Sequence, residues 1–598
     1  MNPTDHSPHM SLRHAGRGRR LRRGAALVAL FAAAVTVLAF AAPAWSATTN
    51  VTMVGRGWGH GIGMSQWGAY GYAKNGWTYD KILEHYYTGI KLGKVENAVL
   101  RVRLRGGVAS AKVSCANDYR AYVTGAQLEI PGGVTAVVTW ADGRYKVVAG
   151  SQVKTFAAPV TFKPLSGQLA TVTTDDWGKA GRYRGLLRVL HSSAGFTIVN
   201  KLPLESYLRG VVPLEVSSSW PAAALKAQAC AARSYAERSR KPGEAFDVYC
   251  TTRDQAYGGV RAETTAASAA VKACAGVVPT YDGKPIAAFF FSTSGGHTES
   301  IENVWQTAPI PYLKGVDDPY DTFSPLHLWP DNPIAHGDAW YEDKLGPYGD
   351  QNPTGVKGDL RTIFVVKRGT SPRVVKAAII GTKGTTFVSG ASLRYKLALR
   401  DTWVSFASMS NVPASTTVTS GVGTKLSGRI YPALKDGATV TLRYVREGAS
   451  GSLTVPTVRH SQDLGSGFSA TYSTYSLTVK PKKQTTYFFV SVKVRSPKVT
   501  LKVRPAVSMT ANATSVAAGD VIKFGGTTTP LLPGAAVWLQ TKSGDAWTNA
   551  ANAVFDADGA CAFEWTAAAG VTAARLRVPA TAGFVTGFGP RLALTVTG

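Results

Sequence analysis

Apolar and polar residues alternate along much of this chain, and the period changes where the elements change. Ala98-Val-Leu-Arg-Val-Arg-Leu104 puts apolar side chains at every second position, the pattern of a half-buried strand. Leu186-Leu-Arg-Val-Leu190 and Phe196-Thr-Ile-Val-Asn200 read as a strand pair joined at Ser193-Ala194-Gly195. Between them, 92–185 is strand-rich and punctuated by turns such as Asp142-Gly143. The period then shifts. Ala222 to about Arg238 is an Ala-rich run without Gly or Pro, which predicts a helix. Pro221 suits its first turn, with Ser219 or Trp220 as N-cap. Small side chains permit close approach, so this helix is expected to be a buried central element.

Beyond Ser408 the chain reads as strand again and carries a diverged repeat. Leu426-Ser-Gly-Arg-Ile-Tyr-Pro432 parallels Phe524-Gly-Gly-Thr-Thr-Thr-Pro530, and Gly437–Leu442 parallels Gly534–Leu539. Two units of short alternating strands predict two β-sandwich modules of immunoglobulin-like type, 409–505 and 506–598, with Ser408–Gly423 as linker. The expected fold class is α+β: a domain over 47–408 with a mixed sheet and the Ala-rich helix, then the two sandwiches. Within the domain, 51–91 is a Gly- and aromatic-rich opening, 92–185 the strand-rich part and 186–408 the core.

The first 46 residues read differently. Arg13, Arg17, Arg19, Arg20, Arg22 and Arg23 precede an uncharged run, Gly24–Ala42, and Ala44-Trp45-Ser46 offers a small-x-small cleavage site. That layout predicts a secretory signal peptide over 1–46, so the mature chain is expected outside the cell, secreted or held at the wall. The alternative is an uncleaved anchor. The formal net charge is +29; the first 46 residues contribute six Arg and one Asp, leaving +24. Such an excess favours anionic partners, namely wall polymers and lipid headgroups. No recognition motif or basic helix supports nucleic acid as a partner, and membrane contact is expected only through the signal segment. The five cysteines match no zinc spacing, and Cys250 with Cys274 is the pairing expected for one bridge.

Glu215 stands just before the Ala-rich helix. A helix N-terminus favours its carboxylate form, whereas an apolar cleft favours the protonated form. Lys226 and Arg233, seven residues apart, share one face of that helix.

Three blocks carry a resemblance: LPLESYLRGVVPLEVSSSWPAAALKAQACAARSYAERS from Leu202; Phe289-Phe-Phe-Ser-Thr-Ser-Gly-Gly-His-Thr-Glu299; and Gly57-Trp-Gly-His-Gly-Ile-Gly-Met-Ser-Gln-Trp-Gly-Ala69 with Ile82-Leu-Glu-His-Tyr-Tyr-Thr-Gly89. Together they resemble the SpoIID/LytB family and bracket residues 55 to about 405. The resemblance implies a lytic transglycosylase that cuts peptidoglycan glycan strands, with Glu215 as acid and base and Glu205 in a structural segment. It also implies a rival, a wall-binding enhancer of an amidase. A wall scaffold is a third reading.

The matched positions imply further site residues. Lys226 and Arg233 would bind a muramic carboxylate or tune Glu215; their alternative is a solvated helix face. Ser292, Ser294 and His297 match the Ser/Gly segment, where Gly295 and Gly296 would let backbone approach a sugar. The front block would fold back to set His60, Ser65 and Gln66 beside the cleft, as a permuted arrangement allows. Trp58, Trp67, Tyr70 and Tyr72 would stack on sugars or fill the core. Some family members place a metal near the Ser/Gly segment with help from a cysteine; here that segment has none, so no metal and no cofactor are expected.

Overall fold

The computed structural model describes residues 49–598, apart from 167, 168, 493 and the side chains of 331–334. The expected signal segment lies outside the described residues. None of the helices within them is long and apolar enough to cross a membrane. The architecture is α+β, with strands prevailing.

The alternating segments at the front form two sheets that share one apolar core. The first runs in the order 248–249, 99–108, 195–203, 186–192, 160–164, 119–123, 126–130. It is mixed: 248–249 runs parallel to 99–108, and the other neighbours are antiparallel. The expected hairpin is its centre, with Leu186 opposite Lys201 and Ser192 opposite Gly195. The second sheet, six antiparallel strands between 111 and 184, adds Val113, Val138, Val147 and Tyr183 to the same core as Val102, Leu104, Val189 and Ile198.

Five helices complete that core: α1 (Gln66–Lys74), α2 (Tyr79–Tyr86), α3 (Leu204–Glu215), α4 (Ala222–Arg238) and α5 (Thr265–Ala273). The Ala-rich α4 is their hub and packs against the other four. Its alanines leave no bulk to hold the neighbours away, and Ala227, Ala229, Ala231 and Ala232 are fully buried. Pro221 itself is the N-cap, one residue later than the sequence suggests. Helix α3 was not legible in the sequence, because Gly210 and Pro213 interrupt its pattern. The chain tolerates Pro213 because the helix stops two residues later, at Glu215.

The strand Thr49–Gly55 runs antiparallel between Trp329–Gly337 and Val404–Ser410. This zips the start of the region to its end and lays the glycine-rich block on 289–299. Trp58 bridges Thr293, Ile62 bridges Glu299, and Met64-Ser65 pairs with Phe290-Phe291. Gly57 (φ +77°) is needed there: a Cβ would come within 2.8 Å of the Thr293 carbonyl oxygen and of Asp401.

The stretch expected as a linker is instead held in sheets. Val412-Pro413 pairs with Ser427-Leu426, and Thr417–Thr419 runs parallel to Lys502–Arg504. Its many threonines are β-branched strand formers, which is why a Ser/Thr-rich stretch did not stay irregular. Two separate apolar cores follow, one containing Leu426, Leu442, Tyr475 and Phe489, the other Phe524, Leu539, Phe563 and Leu576. The repeated segments fall on corresponding strands of the two, 424–431 with 439–446 and 521–529 with 536–543.

The five cysteines are all free thiols. The expected Cys250–Cys274 bridge is not formed: Cys250 Sγ donates to the Leu104 carbonyl at 3.5 Å, whereas Cys274 lies against Cys230 and Arg233.

A buried ion pair joins the 360–401 region to the Ser/Gly segment. Arg373 Nε and Nη2 reach Asp401 at 2.8 and 2.9 Å, and its Nη1 and Nη2 also donate to the His297 and Ser294 carbonyls at 2.7 and 2.8 Å. Both side chains are at most 1% exposed. Removing one partner strands the other charge in the interior, at a cost of about 3–5 kcal/mol. Asp401→Ala is therefore expected to lower stability by about that amount in a denaturant titration; a variant as stable as the wild type would contradict this account.

Candidate functional site

Glu215 is the last residue of α3, seven residues before α4 begins at Ala222. It therefore sits at the electronegative end of a helix, where a carboxylate is disfavoured; this reverses the sign of the helix term expected from sequence. Its Oε1 accepts the Ala256 N–H at 2.9 Å, and its Oε2 accepts Gln66 Nε2 at 3.4 Å. Burial raises its pKa above the ordinary 4.5, and these two hydrogen bonds hold the rise in check.

Gln66 arrives by a traceable route. Ser65 is the N-cap of α1: its Oγ accepts the Gly68 N–H at 3.1 Å and donates to Asp321 at 2.9 Å. The cap fixes the helix start, so Gln66 and Trp67 project together towards Glu215. Asp321 also accepts the Ser294 and Gly295 N–H groups, at 2.8 and 2.9 Å, and faces His327 Nδ1 at 3.0 Å. Its neighbour Asp318 is equally buried; desolvation and the Asp321 charge push its carboxyl to about 7.

A cavity of about 490 Å³ opens over Glu215, lined by Gln66, Trp67, Pro213, Leu214, Val216, Ser217, Trp220 and Ser292. Among these lining residues Glu215 is the one acid. An aromatic wall continues from it. Trp220 lies 5.0 Å from Trp67 and 5.1 Å from Tyr70, and Tyr70 lies 5.5 Å from the half-exposed Phe323.

The structure brings together some of the expected residues and not others. Gln66 and Ser292 line the cavity with Glu215. Arg233 does not: it is wholly buried and forks onto both carboxylate oxygens of Glu205 at 2.8 Å, so the substrate-binding expectation is corrected to a packing role. Lys226, on the same face, points its ammonium at the Tyr79 ring, 5.9 Å from its centroid, and is absent from the cavity wall. Ser294 is fully buried; its N–H is taken by Asp321 and its carbonyl by Arg373. His297 gives its Nδ1 to the Thr298 carbonyl and faces Asp317 at 3.6 Å, outside the cavity. His60 lies among Phe289, Phe291 and Trp305, its pKa pushed down to about 3 by burial and by Arg394 and Arg373. It remains a neutral ring whose Nδ1 accepts the Ile62 N–H at 3.0 Å, shaping its loop. Tyr72 is core, and Trp58 is exposed away from the cavity. Gly295 serves the packing of two loops, since a Cβ there would lie 2.7 Å from that of Arg56.

Sequence reasoning missed Ala256, Trp220 and Asp321. Ala256 acts through its backbone N–H, which leaves no mark on residue type. Trp220 was visible only as a residue next to a helix start. Asp318 and Asp321, three apart around a proline, were a signal passed over.

An open aromatic cavity around one half-buried acid, at the end of α3 and ahead of the Ala-rich α4, is the candidate site. Comparisons with known proteins narrow its reading. Residues 192–281 match the family described as Stage II sporulation protein. The chain is 34% identical over 263 residues to Stage II sporulation protein D of Bacillus subtilis, covering 40% of this chain and 71% of that one. An uncharacterized protein of Brachyspira hyodysenteriae is 32% identical over 225 residues, 36% of this chain. The amidase enhancer of B. subtilis is 40% identical over 114 residues, 19% of this chain and 15% of that one. The chain spans 58% of the Brachyspira protein and 59% of the Stage II sporulation protein D of Bacillus amyloliquefaciens. This chain belongs to the SpoIID/LytB family.

The raised pKa of Glu215 has a consequence for stability. A carboxyl whose folded pKa exceeds its unfolded one contributes stability that is complete below pH 4.5 and is lost as pH rises through the folded value. Glu215→Gln cannot titrate. Its stability relative to wild type is expected to improve between pH 4.5 and neutrality, read from denaturant midpoints across that range. A difference that stays constant with pH would show that burial does not perturb Glu215.

Proposed function

We propose that this protein acts on the bacterial cell wall and cleaves the glycan strands of peptidoglycan by lytic transglycosylation, with Glu215 as acid and then base. The observation that carries this reading is a single carboxyl of raised pKa, held by Gln66 and Ala256, at an open cavity whose other lining residues include no acid. Hydrolysis through a covalent intermediate would need a second carboxylate beside it. Transglycosylation needs one group that delivers a proton and takes one back.

Protonated Glu215 donates to the glycosidic oxygen as the C1–O bond breaks and the sugar becomes oxocarbenium-like. The Gln66 amide and the Ala256 N–H then stabilise the carboxylate left behind. The muramoyl C6 hydroxyl attacks C1 and yields its proton to Glu215, which closes a 1,6-anhydro ring and restores the acid. Trp67, Trp220 and Tyr70 offer flat apolar surfaces to the C–H faces of neighbouring pyranose rings. In this reading the signal segment delivers the protein outside the cell, the excess positive charge favours anionic wall polymers, and the two C-terminal immunoglobulin-like sandwiches are spacers or wall-binding modules.

The amidase enhancer relative favours a second reading, in which the domain binds glycan and assists a wall amidase without cutting. The test separates the two. Mature protein is incubated with intact and peptide-stripped glycan strands, and 1,6-anhydromuramoyl ends are measured by mass spectrometry. Wild type is expected to generate them and Glu215→Gln to do so about 10²–10⁴-fold more slowly. Equal product from both would remove Glu215 from the chemistry. Retained pelleting on sacculi with no product from either would establish the binding reading.

A further inference from the structure

Two of the five cysteines meet. Cys230 lies in the middle of α4 and Cys274 at the C-cap of α5, and both are buried. The same nitrogen, Arg233 Nη1, stands 3.8 Å from Cys230 Sγ and 3.9 Å from Cys274 Sγ, so one donor brings both sulfurs to a single point between the helices. Arg233 is clamped by Glu205 and by the Val277 carbonyl at 2.9 Å, so it cannot swing away from the sulfurs. The other three cysteines have no such company. Burial, helped by Asp176 and Asp175 at Cys250 and by Asp556 at Cys561, pushes the thiols of Cys115 and Cys250 up to about 12 and that of Cys561 to about 11.

We propose that Cys230 and Cys274 form a disulfide that covalently joins α4 to the end of α5 when the protein folds under oxidising conditions. Cys274 thiolate attacks one sulfur of a low-molecular-weight disulfide such as oxidised glutathione and expels one thiolate. Cys230, losing its proton, then attacks the mixed disulfide and expels the second. Two thiols become one S–S bond, and the oxidant's S–S bond becomes two thiols. Both sulfurs are inaccessible in the folded state, so exchange precedes the closing of α5 over α4.

The bridge would enclose residues 230–274, the segment that carries Ala256 and its hydrogen bond to Glu215. It therefore restrains a donor of the site without touching the cavity.

The experiment uses the full mature chain refolded in a glutathione redox buffer, then denatured and alkylated without reductant. Peptide mass spectrometry is expected to find three alkylated cysteines and one linked peptide pair, Cys230 with Cys274, two hydrogen masses lighter than the thiols. Reductant should lower the wild-type Tm but leave that of a Cys230→Ala, Cys274→Ala double variant unchanged. Five alkylated cysteines, or a linked pair involving Cys115, Cys250 or Cys561, would overturn the proposal. The count on the wild-type chain stands even where the variant folds poorly.

Discussion

The site depends on one buried carboxylate that does no chemistry. Asp321 receives hydrogen bonds from the Ser65 hydroxyl and from the backbone of Ser294 and Gly295. Ser65 and Ser294 lie more than 200 residues apart in sequence, and Ser65 precedes Asp321 by 256 residues. A buried anion must be satisfied by donors, and here the donors are the start of α1 and the turn of the Ser/Gly segment. Meeting that demand orients α1, and the orientation of α1 places Gln66 on Glu215.

Two half-buried carboxyl groups show how surroundings decide what such a group does. Glu205 and Glu215 lie at opposite ends of α3, and they are treated oppositely. Glu205 is neutralised by a bidentate arginine and by the Gly276 N–H, and so serves as an anchor between α3 and α4. Glu215 is given no cation, only two neutral donors, and opens onto a cavity. Burial raises its proton affinity, and neither of its two donors carries a charge to bring it back down. Similar residue types in one helix thereby acquire a structural and a chemical character from their surroundings alone.

Much of this was legible in advance, and the gaps have physical causes. Periodicity located the 186–203 hairpin and α4, because each has a clean two- or 3.6-residue pattern. It missed α3, whose Gly210 and Pro213 break the pattern while tertiary packing restores it. The folding back of the front block, and with it Gln66, was readable through resemblance. Arg233 and Lys226 were misplaced because position along a helix fixes a face but not what that face meets. Arg233 met Glu205 across an interior, and no spacing rule distinguishes that from a cleft. Ala256 was invisible because a backbone donor has no residue signature. The Ser/Thr-rich 408–423 stretch misled because threonine suits strands as well as linkers.

The pairing of Thr49–Gly55 with Val404–Ser410 sets a temporal order. The first strand of the described chain has to wait for partners that emerge some 350 residues later, Thr49 opposite Ser410. Contacts so distant in sequence form late, because a long loop must close before they return any energy. The glycine-rich block hangs on that strand, so Gln66 reaches Glu215 only when the whole 49–410 stretch has been delivered. A chain emerging N-terminus first would hold an incomplete cavity until its residue 410 had followed.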